Sequence, residues 1–325
     1  MMRISYQELY DALVRALAKT GLEPDRAGQC ARIVADSSRD GVASHGLNLF
    51  PRLMKMIRAG VVDVGARPVR VSAQGALERW DGRRGIGNLN AHASMDAAIA
   101  LARVHGIGCV ALANTNHWMR GGTYGWQAAD AGVIGLCWTN TLANLPPWGA
   151  AAPRVGNNPL VIAVPRAAGA HVVLDMAMSQ FSYGALASYR MRGELLPVPG
   201  GFDSAGELTS DPAAIEASRR PLPIGFWKGS GLALMLDMMA ALLSGGRATH
   251  EVPADPEQET GLSQVFVAAD ISRLEAPDAA SGTVDAILED LQVRYPGERT
   301  LETRRQNLEQ GIPVEPSIFE LVCNL

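Results

Sequence analysis

The chain has 325 residues, 47% of them hydrophobic and 19% charged, with 33 acidic against 29 basic side chains and a net charge of −4. This composition excludes disorder and collagen-like structure, and an acidic balance without a basic stripe gives no electrostatic footprint for nucleic acid. The length exceeds what one hydrophobic core usually fills and leads us to expect two interlocked domains.

Cys30, Cys109, Cys137 and Cys323 are far apart, and none belongs to a C-x-x-C pair. The spacing supports neither a zinc ribbon nor a disulfide framework, so a reducing cytoplasm is expected. Cys109 and Cys137 lie in apolar runs and read as small buried hydrophobes. The N-terminal residues 1–8 lack an apolar h-region, and no apolar run approaches the roughly 20 residues of a spanning helix. No membrane anchor is expected.

In chain order, Ser5 and Glu8 form a capping box for a helix that carries Leu9, Leu13, Ala16 and Leu17 and stops near Gly21. A second helix begins after Pro24-Asp25, runs through Ala27, Ala31, Ile33 and Val34 towards Gly41, and delivers Ser44-His45-Gly46. Residues 69–81 read as a hairpin around Gln74-Gly75. A helix over about 90–104 then leads into a strand at 108–113, followed by a helix at 122–131 and strands at 133–139, 160–164 and 172–175. Residues 190–223, with five prolines and no sustained period, read as a long loop or lid. Residues 229–243 form the most apolar helix, 264–269 a strand, and 284–291 and 299–310 the last helices. The order predicts a mixed α/β fold in which both chain ends support one central domain.

Common enzyme fingerprints are missing. Gly85-Ile86-Gly87, Gly106-Ile107-Gly108 and Gly229-Ser230-Gly231 each lack the third glycine of G-x-G-x-x-G, which argues against an ordinary Rossmann domain. There is no Walker A loop, H-E-x-x-H or G-x-S-x-G, and no strong metal-ligand spacing. Two histidines stand out instead. His45 in Ser44-His45-Gly46 and His117 in Asn116-His117-Trp118-Met119-Arg120-Gly121-Gly122 sit in small, polar surroundings off any apolar stripe. There an imidazole is well placed for proton transfer near neutral pH, although a capping or surface role fits the same positions. His92, His105, His171 and His250 read as structural.

Those two motifs, with Phe50-Pro51-Arg52, Pro146-Pro147-Trp148-Gly149, Asn157-Asn158-Pro159-Leu160, Asp175-Met176-Ala177-Met178-Ser179 and Trp227-Lys228-Gly229-Ser230-Gly231, resemble the type 2 malate/L-lactate dehydrogenase family. The resemblance extends from Tyr6 to about Arg305. It implies a non-Rossmann, NAD(P)-dependent oxidoreductase of 2-oxo or 2-hydroxy acids that works as a homodimer. NAD is the cofactor favoured, and a sugar-derived 2-oxo acid the substrate. Malate, lactate, ureidoglycolate, Δ1-piperideine-2-carboxylate or a non-catalytic metabolite-binding role are the alternatives. It also implies a helical, substrate-side unit with dimer contacts at 1–115 plus 290–325, and a central NAD-binding α/β unit at 116–289.

By resemblance, His45 is the general acid that protonates the carbonyl oxygen, and His117 lies at the substrate pocket. The cofactor falls to Val173-Leu174-Asp175-Met176-Ala177-Met178-Ser179, Trp227-Lys228 and Gly297-Glu298-Arg299. Many relatives carry a carboxylate-binding arginine four residues after the motif histidine, where this chain has Leu49. Leu49 makes no ion pair, so Arg52 or Arg120 is expected to replace it.

Overall fold

A computed structural model describes residues 2–272 and 277–325. The chain opens with strand β1 (Met2–Ile4) and helices α1 (Tyr6–Ala18), α2 (Pro24–Arg39) and α3 (Phe50–Arg58). The expected capping box is present: Ser5 Oγ accepts from Glu8 N, and the Glu8 carboxylate accepts from Ser5 N. Strands β2 (Val69–Gln74) and β3 (Leu77–Asp81) form the predicted hairpin, followed by α4 (Gly87–His105) and β4 (Ile107–Asn116). Gly106, at φ 85°, ends α4 in a left-handed conformation that any side chain would resist.

Next come α5 (Gly122–Asp130), β5 (Ile134–Thr139), β6 (Leu160–Val164) and β7 (Val172–Met176). Then α6 (Tyr183–Arg192), the short hairpin β8 (Gly201–Phe202) and β9 (Leu208–Thr209), and α7 (Pro212–Ser218) form a small lobe. The lobe corrects the reading of 190–223 as a loop. Leu186, Leu196 and Ile215 give it a core of its own, too few apolar residues to produce a visible period. The chain closes with α8 (Trp227–Ser244), β10 (Thr260–Ala269), α9 (Pro277–Leu291), α10 (Glu298–Gln310), β11 (Ile312–Val314) and α11 (Pro316–Asn324).

Seven strands make one mixed sheet in the order β2-β3-β4-β10-β5-β6-β7. β3 and β4 are parallel, joined by α4, and the other pairs are antiparallel. Alternation divides the strand residues between two cores. Val110, Leu112, Cys137 and Phe266 meet α4 and α5 on one face, while Ala111, Trp138 and Val265 meet α8 on the other. A third core lies among α1, α2 and α3 and takes in Ile312, Val314 and Val322 from the far end of the chain. β1 pairs with β11, so both termini close the same unit. The sheet takes β2, β3 and nearly all of β4 from before residue 116 and its other strands from after it. A division of the chain at 115/116 therefore cuts through one sheet, because β10 returns to pair with β4 and β5 together. Among the described residues no helix is long and apolar enough to cross a membrane.

Candidate active site

An open cleft of about 200 Å³ lies where the loop after α2, the end of β4, and the ends of β5 and β7 meet. It is lined by His45, His117, Arg120 and Asp175, with Thr139, Thr141, Asn157 and Ser182 adding polar surface. His45 occupies a 3₁₀ turn, Ala43–His45, held by buried anchors on either side. Ser38 Oγ, at the end of α2, accepts from Leu47 N at 2.9 Å, and Leu47 and Phe50 are fully buried. Nδ1 of His45 lies 3.1 Å from Ser44 Oγ.

His117 stands at the end of β4 with its ring stacked on that of His45, centroids 6.0 Å apart and planes 18° apart. Its Nδ1 accepts from Met119 N at 3.0 Å, so the neutral ring carries its proton on Nε2. The turn is fixed by Trp118, which packs in the core against Tyr124 and Phe266. Burial, reinforced by the charges of His45 and Arg52, holds His117 well below the ordinary histidine range. Burial lowers His45 also, but there the Asp175 carboxylate pulls the other way, with Arg120 opposing it. Of the two rings, His45 is the one with a carboxylate favouring its protonation.

Asp175 Oδ2 accepts from Gly122 N at 2.7 Å, at the head of α5, where backbone N–H groups favour negative charge. A Cβ at Gly122 would stand 2.8 Å from that oxygen, so a larger residue there would push the carboxylate off the N–H.

The two replacement arginines differ. Arg52 Nη2 donates to Glu259 Oε2 at 2.8 Å and also to the Pro256 carbonyl. Its Nε is buried without a partner, and it faces a smaller, mainly apolar pocket with Leu49, Leu53, Met56 and Val62 that shares His117 and Met119 with the cleft. Arg120 lines the cleft itself, together with His45 and Asp175.

The three segments expected to hold the cofactor converge on β7. The start of the strand receives Pro296, whose carbonyl accepts from Val173 N at 2.9 Å, which sets Gly297, Glu298 and Arg299 beside it. The strand's other end passes into Ala177, Met178 and Ser179, where Ser179 bridges to Pro223 and Ile224 N donates to Met178 O. This brings Trp227 and Lys228, both exposed, to the same region. Asp175 and Ala177 reach the cleft, whereas Val173 and Met178 are buried in the cores on opposite faces of the sheet, and Leu174 and Met176 are half-buried. Ser179 Oγ is buried without a hydrogen-bond partner. Exposed Lys228 and Arg299 flanking the strand, and that unpaired hydroxyl beside the cleft, fit an extended anionic dinucleotide.

Residues 4–322 match the family model described as malate/L-lactate dehydrogenase. The chain belongs to this family. It is 44% identical to the 2,3-diketo-L-gulonate reductases of Citrobacter koseri (strain ATCC BAA-895 / CDC 4225-83 / SGSC4696) and Escherichia coli (strain K12 / DH10B), over 98% of this chain and 98% of each relative. Among solved structures it is similar to a putative malate/lactate dehydrogenase from E. coli, with TM-score 0.92 and 26% identity over 100% of this chain and 94% of that one. It also resembles delta1-piperideine-2-carboxylate reductase from Pseudomonas syringae pvar. tomato, with TM-score 0.89 and 28% identity over 100% and 99% of the two chains. As a malate/L-lactate dehydrogenase family member it is an oxidoreductase acting on CH–OH groups, of a family that uses NAD(P)H and small oxo acids. Missing from the sequence reading were Ser182, Thr139, Thr141 and Asn157 in the cleft, and Asp40 behind Arg120. Asn157 stood in a recognised motif, but no local pattern marked the others.

Proposed function

We propose that the protein reduces 2,3-diketo-L-gulonate, or a closely related sugar-derived 2-oxo acid, with NADH, His45 acting as general acid. The observation that carries the reading is that His45, stacked on His117, shares one polar-walled cleft with Arg120 and with the Asp175 carboxylate that favours its protonation. The curated relatives named above act on this kind of acid. Asp175, Ala177, Ser179, Lys228 and Arg299 would hold the cofactor, which supplies the hydride. Negative charge then develops on the substrate's carbonyl oxygen, and a protonated His45 within reach stabilises it and delivers its proton. His117, neutral with Nε2–H, contributes a hydrogen bond without giving up charge. Thr139, Thr141, Asn157 and Ser182 offer partners to a polyhydroxylated chain.

The apolar pocket at Leu49 favours a second reading, a less polar acid such as Δ1-piperideine-2-carboxylate. Following oxidation of NADH and of NADPH with 2,3-diketo-L-gulonate, pyruvate, oxaloacetate and Δ1-piperideine-2-carboxylate separates them. Preferred turnover of diketogulonate with NADH is expected, and preference for the imino acid would overturn the first reading.

We infer further that the protein is a homodimer of a reducing cytoplasm. All four thiols are free, and Cys30 and Cys137 are buried. α8 crosses β3, β4, β10 and β5, and leaves Leu234, Met235, Met238 and Leu242 exposed along its outer side. On the same face of the sheet Ile162, in register with Leu136 and Leu174, is 38% exposed. An exposed apolar stripe of this kind, on the same side of the sheet as Ile162, is what a second copy would cover in an isologous interface.

A further inference from the structure

Leu49 offers no charge to a carboxylate, whereas the end of α2 gathers several guanidiniums. Asp40 is 4% exposed, yet three guanidiniums converge on it. Arg304 of α10 donates to it twice, Nε to Oδ1 and Nη2 to Oδ2, both at 2.8 Å. Arg39 donates through Nε at 2.9 Å, and Arg120 through Nη1 at 2.7 Å. Arg39 is shared with Asp36, so the network keeps a surplus of positive charge, and Arg120 is the member that lines the cleft.

The way Arg120 meets Asp40 decides what it has left. A guanidinium has two bidentate edges, and Arg304 uses its Nε–Nη2 edge on Asp40. Arg120 touches Asp40 only through Nη1, its one side-chain hydrogen bond among the described residues. Its side chain is 5% exposed, and its Nε is buried with no partner. An unpaired N–H of a buried cation is costly unless a ligand supplies the acceptor, and an Nε–Nη2 edge matches a carboxylate.

We propose that Arg120 binds the substrate's carboxylate through its Nε–Nη2 edge, and that Asp40 and Arg304 are positioning residues that fix that edge toward the cleft. The inference rests on the 2-oxo acid reading of the same site. Arg304 links α10 to α2, so the carboxylate site is built from the C-terminal part of the chain as well as from the motif loop. Asp40 alone would hold Arg120 by a single bond and leave its edge free to rotate. Arg304, clamped on both oxygens, orients Asp40 and so fixes the acceptor to which Arg120 is tied.

The test measures binding of oxamate, a non-reacting 2-oxo carboxylate, to the NADH-loaded full-length enzyme by calorimetry, together with NADH affinity by fluorescence. Arg120→Met is expected to weaken oxamate on the order of a hundredfold, the loss of two charge-assisted bonds, with NADH affinity nearly unchanged. Arg120→Lys restores little, because an ammonium has no fork. Arg304→Met and Asp40→Asn weaken oxamate on the order of tenfold. They also narrow the preference for a 2-oxo acid over its uncharged amide in kcat/KM, a ratio that general destabilisation does not move.

Arg52→Met has the smaller effect of the two arginine variants. An oxamate affinity unchanged in Arg120→Met, or a larger loss in Arg52→Met, overturns the proposal. So does an Arg304→Met enzyme whose acid-to-amide ratio equals that of the wild type. If wild type binds oxamate through Arg120 yet reduces none of the acids tried, the carboxylate site stands and the functional reading falls.

Discussion

Substituting Gly122 by alanine tests the link between the fold and the acid. The new Cβ would lie 2.8 Å from Asp175 Oδ2 and 3.3 Å from both Asp175 Cβ and Arg120 Nε. Ordinary contact distances require the carboxylate to withdraw by roughly 0.5 Å or more. Its 2.7 Å bond from Gly122 N then stretches to the edge of hydrogen-bonding range. Losing a hydrogen bond to a charged group costs about 1.5–3 kcal/mol when nothing replaces it. Asp175 is exposed, so water recovers part of this and the stability loss is about 1 kcal/mol, roughly one to two degrees in Tm for a chain of this length.

The larger effect is on His45, whose protonation Asp175 favours. Release of the carboxylate moves the pKa of His45 further down, so kcat/KM for reduction falls severalfold on the alkaline side of the titration limb while its acid plateau is unchanged. The assay is the pH profile of kcat/KM with NADH saturating, run beside Asp175→Asn, which shifts the limb in the same direction. A Gly122→Ala profile that superimposes on the wild type refutes the role given to Asp175.

Stability should also depend on pH through the two histidines. Both are held below the ordinary value in the fold, whereas in the unfolded chain they titrate near about 6.5, so below that pH the unfolded state binds more protons. Guanidinium midpoints therefore fall from pH 6.5 to 5, by up to about 1.4 kcal/mol per pH unit for each histidine, and His117→Gln flattens the slope. A midpoint that rises on acidification contradicts this. Met238→Glu, in the exposed stripe of α8, should convert a dimer to monomers by light scattering. A wild type already monomeric at micromolar concentration removes the interface.

Much of the frame was legible because local rules and tertiary packing agree. The capping box at Ser5, the hairpin at Gln74-Gly75 and the stop of α1 before Gly21 all lie where single residues fix the backbone. α3 was hidden because its first residues merge with the histidine motif, and β1 and β11 because three-residue strands have no measurable period. The place of β10 between β4 and β5 follows from long-range pairing that no window of sequence carries. At the site, His45 and His117 stood in motifs that chemistry singles out, and Asp175 in one that the family resemblance marks. Asp40 and Arg304 did not, since 264 residues separate two partners whose bond exists only in the fold. Arg52 matched the sequence argument as well as Arg120 did, and Glu259 explains why its guanidinium is engaged elsewhere.

The central claim is that His45 delivers the proton. Its most direct test is the pH dependence of kcat/KM for 2-oxo acid reduction in wild type and His45→Gln. Reduction needs the protonated ring, so the wild-type value should fall tenfold per unit above a pKa lying below 6.5 in the free enzyme. His45→Gln should lose on the order of 10²–10⁴ in rate together with that limb, while still binding NADH. A variant that keeps most of the rate, or the same limb at the same pH, would take the proton away from His45.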